Sequence, residues 1–306
     1  MVGLRKLWWL LWGRASFQRL VPRKWFRGSP GIRPVRTRSK DFEGARPMVD
    51  EALALADDSE FGDALGKVLI ERGVELLESG RIPDAVAAFD QVARLRPKWP
   101  FPLYQRAWAH LLRGDNGSAL DDFRACAALS PVFFTVQREI RSLEDVAAGR
   151  LSIAVYRRFN AARTKLASDP LSVEHAAARM VATFPDFAPG HLLRGEARLR
   201  LGDVQGALAS VESALQCDPD PDTASNAIFL AWSIARQRGD TTRENEARER
   251  LTTAYREHPA AQLMQRSAEI AAGRTFRWTY TFDGRLIFQQ APSREDRSDR
   301  PPESPR

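Results

Sequence analysis

Tyr104, Trp108 and Leu111 recur at i, i+4 and i+7 in the stretch LYQRAWAHLLRG, a spacing that places all three on one face of a helix. A face of this kind works by contact rather than by bond-making. Aromatic rings offer rigid area with a polar tip, which suits an apolar or proline-containing peptide. The same three residues fit equally well as core between adjacent helices, and the sequence leaves both readings open. Residues able to make or break bonds are sparse. His110, His175, His191 and His258 lie on different expected helices, and none has a partner at metal-ligand spacing. Cys126 and Cys217 stand 91 residues apart without a C-x-x-C pair, and read as small buried thiols in a reducing compartment. Asp57-Asp58 and Asp121-Asp122 are adjacent, and neighbours on a helix point about 100° apart, so neither pair forms a carboxylate dyad. No G-x-S-x-G, Walker-type or G-x-G-x-x-G pattern occurs. The expectation is a non-enzyme with no catalytic residue, no metal and no cofactor.

A second cluster opens the chain. LRKLWWLLWGRASFQRLVPRKWFR, residues 4–27, holds four of the eight tryptophans. Residues 1–40 carry eleven Lys and Arg and no acid, leaving 35 basic against 39 acidic residues in the remainder. The formal charge of +7 and the pI near 9.8 therefore belong to this arm, while the body is neutral to acidic. Trp8, Trp9, Trp12, Arg14, Arg19 and Trp25 are the candidates for contact with an anionic or membrane surface. On a helical wheel Leu4, Leu7, Trp8, Leu11 and Ala15 share a stripe that Trp9 and Leu10 leave. The longest apolar run, Leu7 to Trp12, is six residues. A spanning helix needs about 18 and a secretory core about 7–15. Peripheral attachment of a cytoplasmic protein is one reading of the arm. A cleaved organelle-targeting segment is another, and docking to protein or nucleic acid, as in an RNA- or ribosome-associated factor, is a third. Residues 28–58 read as a Pro/Arg-rich tether between the arm and the body.

The body repeats itself. LIERGVELLESGRIPDAVAAFDQVARLRP begins at Leu69 and LYQRAWAHLLRGDNGSALDDFRACAALSP at Leu103. Gly80 and Gly114, Ala85 and Ala119, Phe89 and Phe123, and Pro97 and Pro131 each stand 34 apart. HLLRGEARLRLGDVQGALASVESALQCDP, from His191, keeps the frame, with Arg72, Arg106 and Arg194 corresponding, as do Gly73, Ala107 and Gly195. Each unit predicts a helix stopped by glycine, a second helix with alanine at the close approach and Phe as filler, and then a proline. Such a pair is too apolar to stand alone and must stack on neighbours.

The Gly/Ala, Gly-Asp, Ala, Phe and Pro positions of this pattern resemble the tetratricopeptide repeat (TPR) family. The resemblance covers roughly 200 residues. It is clear in units at about 66–99, 100–133 and 188–221 and weaker at 135–168 and 222–259, with an extra helix near 171–184. At 135–168 Arg158 stands where an aromatic is expected. The resemblance implies an all-α, right-handed helical solenoid whose inner face, lined by first helices, binds a protein or peptide, as in a non-catalytic scaffold or adaptor. By the family pattern, that face would include Ile70, Val74, Phe101, Tyr104, Trp108 and Leu111, apolar in the first two units. Leu192, Glu196 and Arg200 make it charged further on. Some family members grip a C-terminal carboxylate with lysine and asparagine. Ile70, Val74, Tyr104 and Trp108 occupy those places here, so the first two units lack that clamp.

The solenoid is expected over 59–272, closing with a helix at Ala260–Ala272. In RWTYTFDGRLIFQQ, alternating aromatics around Asp283-Gly284 predict a β-hairpin over 273–290, with Phe282 facing Arg285 and Tyr280 facing Ile287. It would serve as a cap on the final helices, or as an edge that recruits a strand. Residues 291–306 are charged and proline-rich and are expected to be disordered.

Overall fold

A computed structural model of the chain describes residues 60–267, 269, 276–280 and 286–290, with side chains over 66–267 and 269. The arm with Trp8, Trp9, Trp12, Arg14, Arg19 and Trp25, the tether, and the tail from 291 lie outside the described residues.

The described residues form twelve α-helices and one pair of short strands. The first four helices are α1 (Glu60–Glu78), α2 (Ile82–Leu95), α3 (Pro100–Arg113) and α4 (Asn116–Leu129). The next four are α5 (Phe134–Ala147), α6 (Ile153–Arg163), α7 (Pro170–Thr183) and α8 (Ala188–Arg200). The series ends with α9 (Val204–Gln216), α10 (Pro221–Arg238), α11 (Thr241–Ala254) and α12 (Pro259–Gln265). Proline at the first turn starts α2, α3, α7, α8, α10 and α12, where its missing N–H costs nothing. Asp169, Asp203, Asp220 and Asp240 cap α7, α9, α10 and α11 by accepting backbone N–H bonds that would otherwise be orphaned. The turn glycines have left-handed backbones, φ +79° at Gly80, +90° at Gly114 and +83° at Gly202. After each, the next N–H reaches back to a carbonyl of the helix just ended: Arg81 to Leu76 at 2.9 Å, Asp115 to His110 at 2.9 Å and Asp203 to Arg198 at 2.9 Å.

The chain divides into two compact units, residues 1–129 and 130–306. In the first unit, α1 packs on α2, α2 on α3 and α3 on α4. The predicted fillers, Phe89 and Phe123, are fully buried. Val74, Leu76, Leu77, Ala85, Ala88 and Ala109 surround Phe89 in one cluster. A Cβ on Gly73 would lie 2.4 Å from Cε1 of Phe89, so glycine there is the counterpart of the ring.

In the second unit, α8 packs on α9, α9 on α10, and α10 on α11. α7 packs on both α6 and α8. It thus takes the place of the second helix of a pair begun by α6, which corrects its reading as an extra helix. The helix outside the neighbour-to-neighbour pattern is α5, which packs chiefly on α10 and only slightly on α6. The family period of 34 also separates Pro185, just after α7, from Pro219, just after α9, as two second helices require. α12 runs to Gln265, where the Arg266 N–H returns to the carbonyls of Gln262 and Met264. Ser267 and Glu269 are helical again, and residues 268 and 270–272 of the expected closing helix lie outside the described residues.

Strands β1 (Phe276–Tyr280) and β2 (Leu286–Gln290) pair antiparallel, with Phe276 opposite Gln290 and Tyr280 opposite Leu286. Ile287 stands opposite Thr279, one position away from the expected Tyr280. A two-residue turn at Asp283-Gly284 requires residues 282 and 285 to face each other, whereas the observed pairing leaves five residues between the strands.

Candidate functional site

Ile70, Val74, Phe101, Tyr104 and Leu111, expected on an inner face, are 6–7% exposed and belong to the interior. That burial favours the core reading of these residues over the open peptide groove. A first helix in a stacked repeat needs apolar residues both toward its neighbours and toward a ligand, and residue type alone does not separate the two faces. Trp108 is half-buried. Its ring stands edge-on to Tyr104 (centroids 6.2 Å) and to Phe123 (5.9 Å), and its indole N–H has no hydrogen-bond partner among the described residues.

The titratable candidates serve structure. Asp122 accepts two bonds from Arg106, at 2.6 and 2.9 Å, and the same guanidinium donates to Asp90 of α2 at 2.8 Å. His110 lies beside Asp122 and Asp115, and burial holds its pKa below the ordinary imidazole value. Burial pushes the thiols of Cys126 and Cys217 up, which makes neither an activated nucleophile. His191 lies 2.7 Å from the Pro185 carbonyl. Among the described residues, no group of three or more His, Cys, Asp or Glu is arranged to hold a metal.

A buried polar network in the second unit escaped the sequence reading. Arg138 of α5 donates to Glu139 at 2.7 Å and, 84 residues away, to Asp222 of α10. The Tyr156 hydroxyl of α6 donates to Glu139 at 2.5 Å. His258, just before α12, accepts the Ala260 N–H at Nδ1. Its hydrogen is therefore on Nε2, which donates to Asp222 at 3.1 Å. The Phe134 ring stands edge-on to this imidazole at 4.8 Å. Burial raises the Asp222 carboxyl, but Arg138 and His258 outweigh it and hold the pKa at about 2. Each of the two carboxylates is paired with the same buried cation, and the imidazole is locked as a spacer. Nothing in this arrangement activates a nucleophile.

Next to the network lies a groove of about 520 Å³. Glu196, Leu199 and Arg200 of α8, Asn226, Phe229 and Leu230 of α10, and Pro259, Ala260 and Leu263 of α12 line it. Three helices, each the first after a repeat's closing proline or its equivalent, thus present one side to a common space. The family model of the tetratricopeptide repeat matches residues 70–132, from within α1 to beyond α4, and 174–221, from within α7 to the start of α10. These two stretches carry tetratricopeptide repeats. The second match takes in most of α7, in keeping with the packing of that helix inside the TPR array.

Solved structures similar to this chain include PilW, a widely conserved type IV pilus biogenesis factor. It is 14% identical over 66% of this chain and 98% of that one, with a TM-score of 0.31. PilF of Pseudomonas aeruginosa is 12% identical over 67% and 99%, with a TM-score of 0.32. A thermophilic TPR protein of Thermus thermophilus is 20% identical over 67% and 99%, with a TM-score of 0.29. None of these scores reaches the level from which a shared partner or a shared arrangement follows. Curated proteins gave no match.

Within the TPR array, of the inner-face residues expected from sequence, Glu196 and Arg200 line the groove of the second unit, and Leu192 is buried. Asn226, Phe229, Leu230 and Leu263 were missed. Phe229 and Leu230 follow Asn226 at i+3 and i+4, a same-face signal that the sequence did carry.

Proposed function

We propose that this protein is a non-catalytic TPR adaptor, held at a membrane surface by its N-terminal arm, that docks a protein segment in the groove of α8, α10 and α12. The observation that carries the docking half is the groove itself, apolar at Leu199, Phe229, Leu230 and Leu263 and polar at Glu196, Arg200 and Asn226. Composition supports the attachment half. Trp8, Trp9, Trp12 and Trp25 suit the headgroup layer, and Arg14 and Arg19 suit anionic lipid. Among the described residues, no helix is long and apolar enough to cross a membrane.

Vesicle flotation tests the attachment. Full-length protein is expected to float with vesicles containing phosphatidylserine, and a chain lacking residues 1–40 is expected to stay in the lower fraction. Equal behaviour of the two would remove the membrane from the proposal. A salt-sensitive RNA complex lost on the same deletion would reassign the arm to nucleic acid.

A further inference from the structure

Glu196 stands out in the groove because its carboxylate accepts no hydrogen bond and makes no ion pair among the described residues, although arginines surround it. Each neighbouring guanidinium is committed elsewhere. Arg138 is spent on Glu139 and Asp222. Arg163 lies over the Phe159 ring and 3.9 Å from Glu139. Arg200, one turn along the same helix, folds back to donate to the Glu196 backbone carbonyl at 3.2 Å. Asn226, on the opposite wall, gives its amide hydrogens to the Asp222 carbonyl and carboxylate. Arg163, Arg200 and Arg138 favour the ionised Glu196 through space without donating to it, and Asp222 opposes them. Burial raises the pKa of Glu196, as it does for a carboxylate whose lost hydration is not replaced.

We infer that this groove selects protein segments that present a lysine or arginine next to an apolar side chain, with Glu196 receiving the cation. The inference rests on the adaptor reading and names its ligand chemistry. A guanidinium or ammonium at Glu196 supplies the donors the carboxylate lacks, in a site partly shielded from water where a charge-assisted bond is strong. Leu199, Phe229, Leu230 and Leu263 offer the neighbouring side chain an apolar seat. An acidic segment would bring a second carboxylate to one that no hydrogen bond satisfies, so selection has both an attractive and a repulsive part.

The test is fluorescence anisotropy of the full-length chain with nine-residue peptide pools of randomised flanks. The central pair is fixed as Arg-Leu, Lys-Phe, Gln-Leu, Glu-Leu or Arg-Ser. The basic–apolar pools are expected to bind about ten- to a hundredfold tighter than the Glu-Leu pool, the range expected of one charge-assisted bond. Glu196→Gln, which keeps the side chain's shape, should erase the preference for Arg over Gln and leave the preference for Leu over Ser. Glu196→Lys should turn the charge preference around. A thermal melt of each variant confirms that it is folded. Binding without charge preference, or a preference that survives Glu196→Gln, overturns the role of Glu196 while the adaptor reading stands. If no pool binds, the inference falls and the groove also loses its place as the adaptor's docking site.

Discussion

Replacing Arg138 by methionine should cost the protein about 3–5 kcal/mol, the range for removing one partner of a buried ion pair. The structure gives the reason. The side chains of Arg138, Glu139 and Asp222 are 8%, 0% and 7% exposed, so neither carboxylate can recover hydration once the cation is gone. Glu139 would keep the Tyr156 hydroxyl, and Asp222 would keep the His258 and Asn226 N–H groups. Methionine fills most of the volume of the arginine stem, so the loss is electrostatic rather than a cavity. For a chain of this size the penalty corresponds to a melting temperature lower by about 6–20 °C, read by circular dichroism.

The dependence on pH separates charge from packing. In the native protein, the pKa of Asp222 lies at about 2, below its ordinary value of 3.8. Its contribution to stability is therefore complete above the ordinary value and lost only as pH falls toward about 2. Without Arg138, burial becomes the dominant influence on that carboxyl and raises its pKa. A raised carboxyl binds its proton more tightly in the folded state, so the variant gains stability on acidification. The gap between the variant and the native protein should thus shrink from about pH 7 to about pH 5. A gap that stays constant over that interval, or a melting temperature within about 2 °C of the native one, would refute the electrostatic account. The triple change Arg138→Met, Glu139→Gln and Asp222→Asn removes the charges together and should recover more than half of the loss.

Gly73→Ala should destabilise the first unit by about 1–3 kcal/mol, because the new methyl overlaps the fully buried Phe89 ring. The corresponding Gly195→Ala meets the Ala207 carbonyl at 3.3 Å, the Ser210 Cβ at 3.4 Å and the Leu230 Cδ2 at 3.5 Å, none as close as the Phe89 ring. It should stay within about 1 kcal/mol of the native protein, since alanine favours the helix by a similar amount. Urea denaturation of both variants checks the contrast, and equal penalties would contradict it. Trp108→Ala should lower stability by about 3 kcal/mol, at the low end for tryptophan because the residue is half-buried. An unchanged melt combined with weakened peptide binding would make Trp108 a contact residue instead.

Some of this architecture was legible because a local rule had no alternative. A helix that stops in a left-handed residue calls for glycine. Gly80 and Gly114 stand one period of 34 apart, and Gly202 holds the same place within its own unit. Phe89 opposite Gly73 is a size complement that the 34-residue alignment exposes directly. The role of α5 was hidden because its packing partner, α10, is remote in sequence. The spacing between Pro131 and Pro185 permits the odd helix at either end of the interval. The discriminating clue was the Pro185–Pro219 distance, which equals the period and marks α7 as a second helix. The inner-face aromatics were ambiguous for a different reason. Tyr104 and Trp108 share a helical face, yet Tyr104 is interior and Trp108 half-buried, a distinction made by the packing around them. The strand register depends on the length of a connection, and Asp-Gly suggests a tight turn without enforcing one.

The proposed recognition and the folding of the second unit draw on the same arginine, Arg138. The repeat interfaces are built from small residues and phenylalanines that recur from unit to unit, and therefore do little to dictate which helix packs on which. α5 lacks such an interface. Its buried face mixes Val136 and Leu143 with Arg138, Glu139 and Ser142. A guanidinium placed between Glu139 and Asp222 has its complement at one place on α10, which gives α5 a single seat at a cost in desolvation. That same pairing occupies the Arg138 guanidinium, which acts on Glu196 through space without donating to it. If the seating of α5 sets the charge preference of the groove, the triple variant should keep the fold and retain Glu196 as the selecting group. Arg138→Met with its carboxylates intact should strengthen the preference for basic segments, because the floor becomes more acidic. A preference unchanged in Arg138→Met would show that the groove and the network are electrostatically independent.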